Sequence, residues 1–217
     1  MWTPDGERIV FHSTKDGGGT LSWKASDGSG QSERITDGAF LLSLTPDGRY
    51  AIALAGEGGT NIVLVPLEPD AEPELLMERL HRELALSVSP DGKWLAFQSV
   101  RTGRNEIYLR PFPNVDDGLW QISTETGVAP QWGPTSRELF YRRRNELIAA
   151  TLDMNPVPRV LASTTLFETQ SRMYSYDVAP DGKRFLMLEP VESNSDSARI
   201  HVVLNWLDEL ERQLPHP

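Results

Sequence analysis

Four histidines, His12, His81, His201 and His216, are the side chains best suited to moving a proton near neutral pH. No two of them share the spacing of a metal-binding helix or loop, and no His-Glu-x-x-His segment occurs. His12 and His201 fall in apolar, β-prone segments and read as partly buried structural residues; His81 and His216 fall in loop and tail. Serine chemistry needs an activating base and a sharp turn, and the chain has no Gly-x-Ser-x-Gly elbow. Asp116-Asp117-Gly118 lacks the alternating carboxylates of a calcium loop and reads as a solvated hairpin tip. Arg142, Arg143 and Arg144, with Arg137 nearby, form the one basic cluster. A solvated strand edge accounts for them; an anion or acidic-partner patch is the functional alternative. Its counterpart is the acidic, proline-rich stretch holding Glu68, Asp70, Glu72 and Glu74, and a contact between copies through the two is conceivable. No catalytic, cofactor-binding or metal-binding residue is assigned, and no cofactor.

Bulk composition narrows the partners. The 217 residues carry a formal net charge of −10, which repels phosphate backbones and argues against nucleic acid. There is no cysteine, so disulfides and thiolate metal sites are excluded. No apolar run approaches the roughly 20 residues of a bilayer-spanning helix, and MWTPDGERIV is no signal peptide, so direct membrane insertion is not expected.

Four of the aspartates recur for a different reason. Pro4, Pro46, Pro90, Pro134 and Pro180 are spaced 42, 44, 44 and 46 residues apart. Asp-Gly follows four of them, as Asp5-Gly6, Asp47-Gly48, Asp91-Gly92 and Asp181-Gly182; Thr135-Ser136 stands in that place in the other. Proline presets the first corner of a tight turn, aspartate can bond backbone amides, and glycine supplies the left-handed residue. Apolar segments leave every corner at 7–13, 49–55, 93–99, 137–143 and 183–189. Segments 39–45, 84–89, 128–133 and 174–179 enter them. Third strands follow at 20–26, 61–67, 105–112, 146–153 and 198–205, and weaker fourth strands at 32–36, 73–77, 119–123 and 158–162.

A period near 40–45 residues with four strands per unit is that of a propeller blade. The expected fold is all-β, a β-propeller of about five four-stranded antiparallel blades with incomplete first and last blades. It forms a single domain over 1–217, with blades near 1–37, 38–78, 79–124, 125–168 and 169–205. Leu76, Leu80 and Leu84 fall at helical spacing, but the repeat phase assigns strand, loop and strand to 73–86. A short terminal helix over 206–214 is expected, capped by Asn205 and stopped by Pro215.

The first unit begins at its corner and the last shows no fourth strand, so the chain reads as cut from something larger. Self-association through such incomplete blade edges is an expectation. Glu83 and Asp177 are the acids on entering strands, too few to argue a glycosidase channel. Trp2, Trp94, Trp120 and Trp132 should wedge between blades; Trp23 should be exposed if the first blade is incomplete, and Phe112 should staple a turn.

WTPDGERIVF, SVSPDGKWLAF and QWGPTSRELF resemble the WD40-like Pro-Asp (PD40) repeats of TolB-like β-propellers. GRNEIYLRPFPNVDDGLWQIST, YDVAPDGKRFLMLEP and IHVVLNWLDEL are similar to the C-terminal propeller region of bacterial membrane-linked serine/threonine protein kinases. The glycine-rich loop, His-Arg-Asp and Asp-Phe-Gly of a kinase are absent from the chain. Prolyl-oligopeptidase-type enzymes carry similar repeats, with their serine in a separate hydrolase domain. The resemblance thus implies a non-enzymatic binding module for a protein or peptide. It would be the sensory or interaction part of a larger signalling protein, extracytoplasmic and membrane-anchored elsewhere. An enzyme with its site in the channel is the alternative.

Overall fold

A computed structural model of the chain describes residues 1–14, 19–169 and 176–188. Among these residues seventeen strands form five antiparallel sheets in chain order. The first holds β1 (Arg8–Ser13), β2 (Thr20–Ala25) and β3 (Glu33–Asp37), with Trp2 bridging Ile9 on its inner side. The second runs from β4 (Phe40–Leu44) through β5 (Tyr50–Ala55) and β6 (Asn61–Pro66) to β7 (Glu74–Glu78). The third is β8 (Leu84–Val88), β9 (Trp94–Ser99), β10 (Glu106–Pro111) and β11 (Trp120–Gln121). The fourth is β12 (Val128–Trp132), β13 (Glu138–Arg143), β14 (Glu146–Asp153) and β15 (Arg159–Glu168). β16 (Tyr176–Val178) and β17 (Phe185–Met187) form the fifth. The fold is an all-β propeller, as the repeat requires. The third strand expected at 198–205, the helix expected at 206–214, His201 and His216 lie outside the described residues.

The second, third and fourth sheets each sit between two neighbours, and the period of a strand explains how. Ala51 and Ala53 join the core shared with the first sheet, while Ile52 between them joins the core shared with the third. Leu95 and Phe97 face back toward the second sheet and Ala96 forward to the fourth. Phe140 faces the fifth sheet, and Leu139 and Tyr141 the third. Alternate side chains leave opposite faces of a strand, so one central strand feeds two cores. Small residues on one face and large ones on the other let successive sheets interdigitate. The segment 73–86 follows this demand: Leu76 and Met77 of β7 pack against the second core, and Leu80 is left exposed in the connection. Packing between sheets overrides the local helical spacing.

The first three corners share one bonding scheme. In the second unit the Thr45 hydroxyl donates to Asp47 Oδ1 at 2.6 Å and accepts the Tyr50 amide at 3.0 Å. Asp47 Oδ1 also accepts the Arg49 amide at 3.1 Å, and the Gly48 amide returns to the Thr45 carbonyl at 2.9 Å. Thr3 with Asp5 and Ser89 with Asp91 repeat the pattern. The Thr3 hydroxyl and the Glu7 amide hold the Asp5 carboxyl below its ordinary pKa. At Asp47 and Asp91 partial burial opposes such a shift, but the hydroxyl and amide donors outweigh it. Successive corners also touch. Gly48, at φ +68°, approaches the Pro4 ring so closely that a Cβ on it would stand 3.2 Å away. At Gly182 a Cβ would stand 2.6 Å from the Pro134 ring. In the fourth corner the Ser136 hydroxyl accepts the Asp91 amide at 3.2 Å.

The fifth corner has Ala179 where the first three have a hydroxyl, so among the described residues Asp181 holds the Lys183 amide, at 2.9 Å, and the Arg184 guanidinium, at 3.1 Å. Ala179→Ser should restore the missing bonds and stabilise the fifth unit by about 0.5–1.5 kcal/mol. A raised urea midpoint at unchanged slope is the expected readout; no change would mean that the hydroxyl contributes nothing to this corner.

Two tryptophans depart from expectation. Trp23 is buried, with Arg8 stacked 3.9 Å from its ring and its indole N–H donating to Glu33 at 3.1 Å. The three-stranded first sheet still buries its central strand β2 against the second sheet. Trp2 is 61% exposed instead of wedged between sheets, because it lies on the inner side of the first sheet beside a cavity.

Candidate functional site at the axial cavity

The entering strands β4, β8, β12 and β16 pack one after another around a common axis. In the first three the register is broken at one place: between Leu41 and Ser43, between Leu84 and Ser87, and between Val128 and Gln131. A bulge re-aims the side chains beside it. Ala85 and Ala129 take positive φ there, at 49° and 53°. The amide of Ala129 is bonded across the sheets by Gln98 Oε1 at 3.0 Å.

These bulges border a cavity of about 580 Å³ to which all five units contribute. Met1 and Trp2 come from the first, Leu42, Ser43 and Leu44 from the second, Leu86 from the third and Gln131 from the fourth. The fifth gives Tyr176, Asp177, Leu186 and Leu188. Trp2, Leu186 and Leu188 are more than half exposed, so apolar surface faces the space. Asp177 is exposed, and its carboxylate accepts the Val178 amide at 2.9 Å. The Tyr176 hydroxyl is buried without a hydrogen-bond partner among the described residues, and burial pushes its pKa up. The cavity therefore offers apolar walls, one anionic group, and Ser43 and Gln131 for neutral polar contacts.

The other candidates are dispersed. Glu83 does not line the cavity; it is 4% exposed, accepting the His81 amide at 2.8 Å and the Ser99 hydroxyl at 3.4 Å. Glu83 and Asp177 are thus not brought together. His12 packs its ring 4.1 Å from Phe40, and His81 lies in the loop before β8. Asp116 stands on a short 3₁₀ turn, 3.6 Å from Arg110. Phe112 packs against the core between the second and third sheets. No cluster of metal-ligating side chains exists among the described residues.

The basic cluster is not a patch. Arg142 is 2% exposed inside the fourth sheet, Arg143 pairs with Glu146 at 2.9 Å, and Arg144 is the exposed hairpin residue at φ 56°. Alternation along β13 sends neighbouring arginines in opposite directions. The acidic loop is also engaged, since Asp70 pairs with Arg34 at 2.5 Å. Sequence reasoning missed most of the cavity lining, although a signal existed. Leu42, Leu86 and Tyr176 all lie four residues before a corner proline, and Met1, Ser43, Gln131 and Asp177 three.

No family model and no curated protein matches the chain. Solved structures do. A protein assigned as TolB from Agrobacterium tumefaciens is 20% identical with a TM-score of 0.61, covering 86% of this chain and 73% of that one. TolB from Acinetobacter baumannii is 19% identical with a TM-score of 0.64, covering 87% of this chain but 49% of its own length. An oligogalacturonate lyase from Vibrio parahaemolyticus is 10% identical with a TM-score of 0.51, over 85% of this chain and 68% of that one. The chain spans about half the length of the Acinetobacter protein, and at these identities the likeness is one of fold. It is the TolB-like propeller fold. Among the described residues no helix is long and apolar enough to cross a membrane.

Proposed function

We propose that the chain is a non-enzymatic binding module that takes a protein or peptide segment into the axial cavity. The observation that carries this is the composition of the cavity: exposed apolar walls from several units and, among the described residues, a single carboxylate, Asp177. An apolar peptide segment bearing one lysine, arginine or free amine matches it, with the apolar side chains against Leu44, Leu86 and Trp2. Such a segment would also supply backbone amides to Ser43 and Gln131. The fold likeness to TolB proteins supports a binding role, and the sequence resemblance to kinase-linked propellers supports a place in a larger, extracytoplasmic signalling protein.

A library of short apolar peptides, with and without one basic residue, tests the reading. Trp2 borders the cavity and serves as the fluorescent reporter, with Trp2→Phe as the control. Basic members should bind, and Asp177→Asn should weaken them about 5- to 10-fold, the worth of about 1–1.4 kcal/mol, while leaving neutral members unchanged. Binding that is indifferent to Asp177 and Trp2 would remove the cavity from the account.

The lyase neighbour keeps a second reading in view, an enzyme with its site in the channel. General acid–base chemistry needs a second titratable group beside the first; among the described residues the cavity offers Asp177 and the Tyr176 hydroxyl, whose pKa burial raises.

A further inference from the structure

The outer strands of the sheets differ in one respect. β3 reads ERITD and β7 ELLME, each five residues with charges at both ends, and β11 has two residues. β15 reads RVLASTTLFE, ten residues long and exposed throughout, with no charge between Arg159 and Glu168. Val160, Leu161, Leu166 and Phe167 are exposed along it. Its partner is β14 on one side, and no described strand lies on the other. Short length and edge charges protect open strands from pairing, and β15 has neither along its centre.

We propose that β15 is a docking edge for a second copy of this chain, pairing antiparallel with the same strand across a two-fold axis at Thr164. The choice of partner comes from the strand itself. Antiparallel pairing sets the Arg159 end of one strand beside the Glu168 end of the other. Parallel pairing would stack like charges. Two-fold symmetry requires the two members of each pair to lie on one face, so the axis passes through a residue. Centred on Thr164, it sets Leu161 opposite Phe167, Ala162 opposite Leu166 and Ser163 opposite Thr165 of the second copy. Leu161 and Leu166 are the two residues that bulge out of register with β14. The same axis lays each bulge beside the other, so both strand edges stay matched. Two four-stranded sheets would then form one sheet of eight. The edge is at the periphery, away from the axial cavity, so this pairing is independent of ligand binding.

Light scattering of the whole chain, from micromolar to several hundred micromolar, is the test. The mass should rise from 24.3 kDa toward twice that value. Added salt should favour the larger species, because two chains of charge −10 repel. Thr164→Lys puts two cations face to face at the axis and should return the mass to 24.3 kDa with the circular dichroism unchanged. The native chain has no cysteine, so Thr164→Cys introduces a single thiol opposite its own copy, within disulfide reach. It should cross-link under mild oxidation at least tenfold faster than Ser163→Cys. A mass fixed at 24.3 kDa, or a doubled mass that survives Thr164→Lys, overturns the proposal. A monomer in which the 164 thiol resists maleimide would show another segment of the same chain on this edge, and also overturns it.

Discussion

Replacing Trp132 by alanine should destabilise the protein by roughly 3–5 kcal/mol, a large part of the roughly 5–15 kcal/mol that holds a domain folded. Trp132 is 7% exposed in the core between the third and fourth sheets, and its indole N–H donates to the Ser87 carbonyl at 3.0 Å. Ser87 lies on the entering strand of the preceding sheet, beside the bulge that breaks the register with β9. Ser87 stays in register with Ala96 of β9, so the indole ties the fourth sheet to a strand that is itself held in the third. Trp132→Phe keeps most of the apolar contact but loses the bond to Ser87, for about 0.5–1.5 kcal/mol. Denaturant unfolding separates the two costs. Equal losses for alanine and phenylalanine would show that the hydrogen bond, not the ring, does the stabilising.

Glu106→Leu is the second large effect, of roughly 1–3 kcal/mol, because it leaves the buried Ser123 hydroxyl without its acceptor. The Glu106 carboxylate is fully buried, pairs with Arg104 at 2.6 Å and accepts the Ser123 hydroxyl. The same hydroxyl accepts the Ile107 amide at 2.8 Å, and Arg104 donates to the Thr124 carbonyl at 2.5 Å. This network stands where a ladder would be. β11 pairs with β10 through only two residues, and side chains stitch the following segment to the sheet instead. Glu106→Gln still accepts from Ser123 and should cost less than half as much. The loss should appear first as faster amide exchange at Ile107 and Ile122, both bonded in this seam. Exchange spread evenly over all five sheets would argue against a local seam.

Strand positions were legible because they depend on the corners. The corner bonds are local, closing within five residues of the Thr or Ser that anchors them. Once the corners are in phase, the strands between them follow, including the pair that replaced a helical pattern at 73–86. The extent of outer strands was less legible. The fourth strand of unit four, expected over 158–162, runs to Glu168, and that of unit three, expected over 119–123, stops at Gln121. Outer strands answer to side-chain networks and neighbouring edges, neither of which has a short sequence signature. Side-chain direction was legible least. Trp2, Trp23 and Arg142 are placed by contacts between sheets or by the inner-strand bulges. A bulge shifts the alternation by one residue, which is enough to turn a core side chain toward the axis. The cavity was hidden for that reason, although seven of its lining residues stand three or four positions before a corner proline.

The contacts between units join each unit to its neighbour in the chain. Trp132 reaches back to Ser87, the Ala129 amide to Gln98, Gly48 rests on Pro4 and Gly182 on Pro134. In each case a later unit docks onto the one made just before it. During synthesis, then, every emerging sheet meets a template that is already in place, and growth from the N-terminus never requires a sheet to wait for a distant one.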